Sequence, residues 1–157
     1  MRCSYRCFAS LALALTFTAS HASAQEANAA KHYYLSTTDS HKQVDQALEL
    51  ATQQHKRILL DFGSDQCVDC LALNSYLDDA ANRAQLEQHF LIVHIDANSK
   101  KNRDLIERFG VNLHQGLPVV AVVGDDGHVI QATSKFTHAH TMTTADVTTF
   151  LTNWGQQ

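Results

Sequence analysis

The sequence has no basic cluster, no glycine-rich loop of the kind that cradles phosphate, and no apolar run approaching the roughly 20 residues a bilayer span requires. Its 12 lysines and arginines are outnumbered by 16 acidic residues, for a net charge of −4 with histidine neutral. That balance argues against nucleic acid and anionic lipid surfaces as partners. No pair of carboxylates is arranged for hydrolytic chemistry, and no segment repeats or falls into low complexity. Proline occurs once, at Pro118. Cysteine is scarce too, and its four residues stand two by two along the chain, Cys3 near Cys7 and Cys67 near Cys70. There is no second C-x-x-C to complete a four-ligand zinc site.

What is present begins with a processing signal. Arg2 and Arg6 form a positive start, Phe8 to Phe17 an apolar stretch, and Ala22-Ser23-Ala24 a small-residue cleavage pattern. Residues 1–24 therefore read as a signal peptide, too short and too weakly apolar to remain as a membrane anchor. Cys3 and Cys7 leave with it, and neither sits at the cleavage point of a lipoprotein. Removal of two arginines makes the remainder more acidic still. In an exported protein, the surviving Cys67 and Cys70 are either one disulfide or a redox couple.

Residues 25–37 read as a flexible leader and 38–157 as one domain of ordinary size. Within the leader, His32 to Leu35 is expected as a short edge strand. Val44, Ala47, Leu48 and Ala51 recur at helical spacing, which predicts a helix ending near Lys56. Two apolar runs, Arg57 to Phe62 and Phe90 to Asp96, predict buried strands. Helices are expected from Cys67 towards Asp78, from Asn82 to His89, and from Asn102 to Phe109. Pro118 to Val123 and His128 to Ala132 form a predicted hairpin through Gly124-Asp125-Asp126-Gly127, before a last helix from Thr144 to Trp154. Along that helix, Phe150 and Trp154 are expected as core contacts. This order predicts an α/β fold with a mixed central sheet and helices on both faces.

The chemistry sits in Cys67-Val68-Asp69-Cys70. A predicted buried strand precedes it and a predicted helix follows, so Cys67 would stand at a helix N-terminus. Unpaired backbone N–H groups and the macrodipole favour a thiolate there. Cys70 follows one helical turn later, able to attack a mixed disulfide formed at Cys67 and release the reduced partner. A lone C-x-x-C also serves as half of a zinc site or as a plain structural disulfide, and both readings stand beside the redox one.

Leu59 to Cys70 (LLDFGSDQCVDC), Val93 to Asp96 (VHID), Phe109 to Val111 (FGV) and Gly116 to Pro118 (GLP) together resemble the thioredoxin family. The match runs from Lys56 to about Val129. It is most similar to the periplasmic thiol:disulfide interchange branch, which includes the terminal thioredoxin-like domain of DsbD. The resemblance implies a thioredoxin-like fold, a redox-active Cys67–Cys70 disulfide, and catalytic roles for Cys67, Cys70 and Asp61. Asp61, six residues before Cys67, matches a carboxylate buried beneath the active site, which would exchange the proton of Cys70 through water. Pro118 matches the family's cis-proline, with the backbone at Leu117 pairing with substrate.

The departures are specific. Gln66 stands where the family usually has tryptophan, and Leu71 where it usually has a basic residue. Three extra residues fall within Asn112-Leu113-His114-Gln115, beside the predicted cis-proline loop, and would reshape the groove that Gln66, Leu117 and Pro118 offer to substrate. His114 there would bias Cys67 if it faced the sulfur, but reads more simply as a solvated loop residue.

Asp65 and Asp69 flank the cysteines, and no lysine or arginine lies within six residues of either one. Negative neighbours disfavour a thiolate, which predicts a couple nearer thioredoxin's, about −270 mV, than the oxidising end at about −120 mV. The expectation is therefore an exported, periplasmic thiol-disulfide oxidoreductase that reduces or exchanges disulfides of other exported proteins. A membrane electron donor would recharge it. No organic cofactor and no resident metal is implied. Two rivals remain: a copper-handling module joining the cysteines to His138 or His140 of the H-x-H-x-M ending at Met142, and a binding protein with a purely structural disulfide. The plain reading of His138 and His140 is an exposed connection.

Overall fold

The apolar run at Arg57 becomes β1 (Arg57–Gly63), buried at every position after the first. It is flanked on both edges. In the computed structural model, which describes residues 31–155, β2 (Phe90–Asp96) runs parallel to β1 and β3 (Val119–Val123) antiparallel to it. β4 (Val129–Thr133) joins β3 as a hairpin, giving the order β2-β1-β3-β4. The expected signal, residues 1–24, and leader residues 25–30 lie outside the described part.

Alternation along β1 divides the core in two. Ile58, Leu60 and Phe62 face one side, where α1 (Ser40–Gln54) lays Val44, Ala47 and Ala51 against them and α4 (Arg103–Arg108) adds Leu105. Asp39 caps α1 by accepting from the Lys42 N–H, and His55 ends the helix with a left-handed backbone, φ 52°. Leu59 faces the opposite side with Val120 and Val122 of β3. There α2 (Val68–Leu77), α3 (Ala80–His89) and α5 (Thr144–Gly155) cover the sheet. Phe150 of α5 meets Phe136 edge to face at 5.0 Å, and Trp154 packs on the same cluster. The mixed α/β sheet with helices on both faces is thus the architecture that the sequence predicts.

Three local expectations change. The helix expected at Asn82 starts at Ala80, because Asp79 accepts from the Ala81 N–H and caps it. His32 to Leu35 is not a strand. The backbone N–H groups of Tyr33 and Tyr34 donate to the Asp65 carboxylate instead of to a sheet edge. Nor do residues 31–37 belong to a free leader, since the compact unit begins at Lys31 and Tyr34 is 4% exposed. Its ring lies so close to Gly63 that a Cβ there would collide with it. Burial of such a ring stabilises by roughly 1.5–3 kcal/mol and acts together with the hydrogen bonds to Asp65 in holding this short strap.

Candidate active site

β1 delivers Asp61 and the turn after it delivers Cys67. Ser64 accepts from the Cys67 N–H at 3.1 Å, closing that turn. Cys67 then occupies the N-cap of α2, and its Sγ accepts from the Cys70 N–H at 3.2 Å. The cap residue is therefore the sulfur itself, held where the helix is positive. Cys67 and Cys70 are disulfide-bonded, with Cα atoms 5.2 Å apart. Their environments differ: Cys67 is half-buried, whereas Cys70 is 0% exposed.

The Leu117–Pro118 peptide bond is cis. It brings the Leu117 carbonyl oxygen to 3.7 Å from Cys67 Sγ, with Pro118 buried behind it. Exposed Gln66 sits on the other flank, its side chain folded onto Ser64, whose hydroxyl donates to Gln66 Oε1 at 2.7 Å. Val68, 68% exposed, and Leu71 leave apolar surface beside the cysteines in sequence. The extra residues before Gly116 form a single 3-10 turn, Leu113–Gln115, tied to the hairpin exit by Ser134 donating to Gln115 Oε1. His114 projects from that turn, exposed.

Asp61 lies beneath, at 0% exposure, on the face that α2 covers. Its Oδ2 accepts from the Tyr34 hydroxyl and from Asn74 Nδ2 at 2.9 Å, and lies 3.1 Å from His94 Nδ1. Among the described residues Oδ1 has no hydrogen-bond partner. Asn74 also donates to the Cys70 carbonyl at 3.0 Å, coupling the carboxylate to the helix turn that carries the buried cysteine. His94 stands beside Asp61 in the β1–β2 register, and its ring is flanked by Tyr33 and Tyr34 at 5.6 Å each. Burial, reinforced by the Asp61 charge, pushes the Tyr34 phenol far above its ordinary pKa, so it stays a donor.

Tyr34, Asn74 and His94 are absent from the sequence expectations. Asn74 and His94 each left a trace, a lone polar group at a buried-side position of an otherwise apolar helix or strand. Tyr34 left none. His89 and His94 have the H-x4-H spacing of a metal half-site, yet His94 is engaged by Asp61 and no three metal-ligating side chains gather among the described residues.

The expectation that Asp65 and Asp69 act as bare charges needs correction. Asp69 Oδ1 accepts from the backbone N–H of His140 at 2.9 Å and lies 2.7 Å from its Nδ1. Desolvation works against ionisation of Asp69, but these hydrogen bonds and the His140 and His138 charges outweigh it and hold its carboxyl below the usual range. Asp65 is likewise held low: desolvation opposes, while the Tyr34 and Tyr33 N–H groups and His32 prevail. The partners come from distant segments, which is why a count of neighbours along the chain misses them. With Cys67 and Cys70 disulfide-bonded, His140 is engaged by Asp69.

The comparisons with known proteins agree with this geometry. The thioredoxin-like family model matches residues 39–124. A disulphide isomerase from Xylella fastidiosa Temecula1 is 33% identical, with a TM-score of 0.76 over 80% of this chain and 98% of that one. Two further structures share the fold. The reduced C-terminal domain of Neisseria meningitidis DsbD is 21% identical, with a TM-score of 0.55 over 73% of this chain and 96% of its own. A Thermus thermophilus thioredoxin is 20% identical, with a TM-score of 0.55 over 69% and 81%. No curated protein matches the sequence. With the motif, the cap geometry and the family model in agreement, the chain belongs to the thioredoxin-like family and is a thiol-disulfide oxidoreductase.

Proposed function

We propose that this oxidoreductase reduces or exchanges disulfides of exported proteins in the periplasm, and that a membrane electron donor returns it to the dithiol state. The observation that carries the reading is the asymmetry of the pair: a half-buried Cys67 capping α2 and a fully buried Cys70 behind it. In the reducing direction, the Cys67 thiolate attacks one sulfur of a substrate disulfide and the other leaves as a thiolate. Cys70 loses its proton towards Asp61 and attacks Cys67 Sγ. The mixed disulfide breaks, the second substrate sulfur departs and is protonated, and two electrons have passed to the substrate. Leu117, Pro118 and Gln66 border Cys67 and hold the substrate chain there.

The likeness to a disulphide isomerase supports exchange as well as net reduction. Export would cut the protein off from cytosolic reductant, so the recharging electrons have to come through the membrane. The deciding experiment is equilibration of Cys67–Cys70 against a defined thiol buffer. A potential near −270 mV supports the reductase, one near −120 mV points to oxidation, and resistance to reduction below about −300 mV leaves a structural disulfide.

A further inference from the structure

We propose that His94 is the proton outlet of the site: it receives the proton that Asp61 collects and hands it to solvent through a cavity that Cys67 does not line. The proposal rests on the thiol-disulfide reading above and adds a residue to it. A carboxylate at 0% exposure cannot trade protons with bulk water directly, so one of its neighbours must. The choice among them is made by chemistry. Asn74 carries an amide, which does not titrate. Tyr34 is held protonated by burial and by Asp61 itself. His94 carries an imidazole, the one group of the three with two ring nitrogens, so that a proton accepted at one can be released from the other.

Its position suits the task. The His94 side chain is 22% exposed, against 0% for Asp61. It opens on a cavity of about 280 Å³ between β2, α2 and α3, lined also by Tyr33, Asn74, Asp78, Arg83 and Glu87. The charged groups facing it are thus Asp61 from β1, Asp78 from the end of α2, and Arg83 and Glu87 from α3. Asp78 is already paired with Lys31 and Arg83 and accepts from Tyr33, which leaves the imidazole to exchange with water. Neither Leu117 nor Pro118 borders the cavity, so a substrate seated against Cys67 covers the sulfur and leaves this exit open.

The proton path balances. As Cys70 Sγ attacks Cys67 Sγ, its proton passes to the Asp61 carboxylate through Oδ1, the oxygen without a protein partner among the described residues. A half-turn of the carboxyl group brings the protonated oxygen to the place of Oδ2, 3.1 Å from His94 Nδ1; the imidazole, as its Nε2–H tautomer, accepts the proton there and sheds its Nε2 proton to cavity water. No electrons move along this route, and the reverse transfer serves the opposite half-reaction.

An aromatic disulfide that releases a coloured thiolate separates the two steps, because the first release reports attack by Cys67 and the second reports resolution by Cys70. In His94→Gln the first release should keep its rate, while the second slows by about tenfold, below the ~10²-fold or more of a group acting on the transition state directly. The second step should also lose the pH dependence seen in the parent protein. Added imidazole should restore it in His94→Ala. A parental rate and pH profile for the second release in His94→Gln overturns the proposal. So does a slowed step in both variants with an unchanged pH profile and no rescue by imidazole, which marks a packing role. If the parent protein itself gives no release, the oxidoreductase reading fails, and that outcome is distinct from either.

Discussion

The two faces of β1 are built on opposite terms. On one, Ile58, Leu60 and Phe62 join an apolar cluster with residues of α1, β2, β3 and α4. On the other, a single step along the strand places Leu59 in a second apolar cluster and Asp61 among Tyr34, Asn74 and His94. The first face is a core in the ordinary sense, where stability follows buried area. The second gives up part of that gain to hold a carboxylate under the cysteines, with Oδ1 left without a partner among the described residues. Stability and chemistry are therefore assigned to alternate residues of one strand, and substitutions should separate them.

The largest effect is expected at the sulfur pair. Cys70→Ser should abolish turnover and trap substrate on Cys67 as a mixed disulfide, visible by non-reducing electrophoresis and mass spectrometry. On the apolar face, Leu60→Ala should lower the unfolding free energy by about 2–5 kcal/mol in urea titrations while leaving the reduction potential unmoved. Asp61→Asn should do the reverse, slowing resolution by Cys70 by about 10²-fold with a far smaller change in stability. An Asp61→Asn protein that resolves at the parental rate would erase the distinction between the faces.

Acid should loosen the site from its strap. Asp65 is held below the ordinary carboxyl range, because the Tyr33 and Tyr34 N–H groups and His32 overcome its desolvation. A carboxyl depressed on folding contributes stability that is complete above its unfolded value, about 3.9, and is lost as pH falls through the lower folded value. Urea titrations from pH 5 to 2 should show that loss, and Asp65→Asn should remove it, by about 1 kcal/mol. Amide exchange at Tyr33 and Tyr34 should quicken in the same variant. The smallest change is expected for His140→Ala. With its hydrogen bonds to Asp69 weakened, the negative charge beside Cys67 acts more fully and the potential should fall, by no more than about 30 mV. A rise would reverse the sign of the electrostatic argument.

Much of the scaffold was legible because apolar spacing reports burial. The runs at Arg57 and Phe90 gave their strands, and Val44, Ala47 and Ala51 gave α1. The motif placed Cys67 at the start of a helix, and the resemblance to the thioredoxin family pointed to Asp61 as the buried carboxylate. Spacing says nothing about which polar atoms meet across separate segments. His140 reaches Asp69 over 71 positions and Tyr34 reaches Asp61 over 27, and nothing beside either residue in the sequence names the partner it meets. Tyr34 was the hardest case, because a tyrosine in a short polar stretch looks the same whether it lies on the surface or plugs a site.

Gly63 and Tyr34 tie the closure of the site to a distant part of the chain. The phenol comes early in the sequence, yet its seat is made by residues that follow it, from β1, β2 and α2. The Asp61 carboxylate is thus sealed in part by a segment 27 positions away, and a substitution that frees Tyr34 should let water reach it.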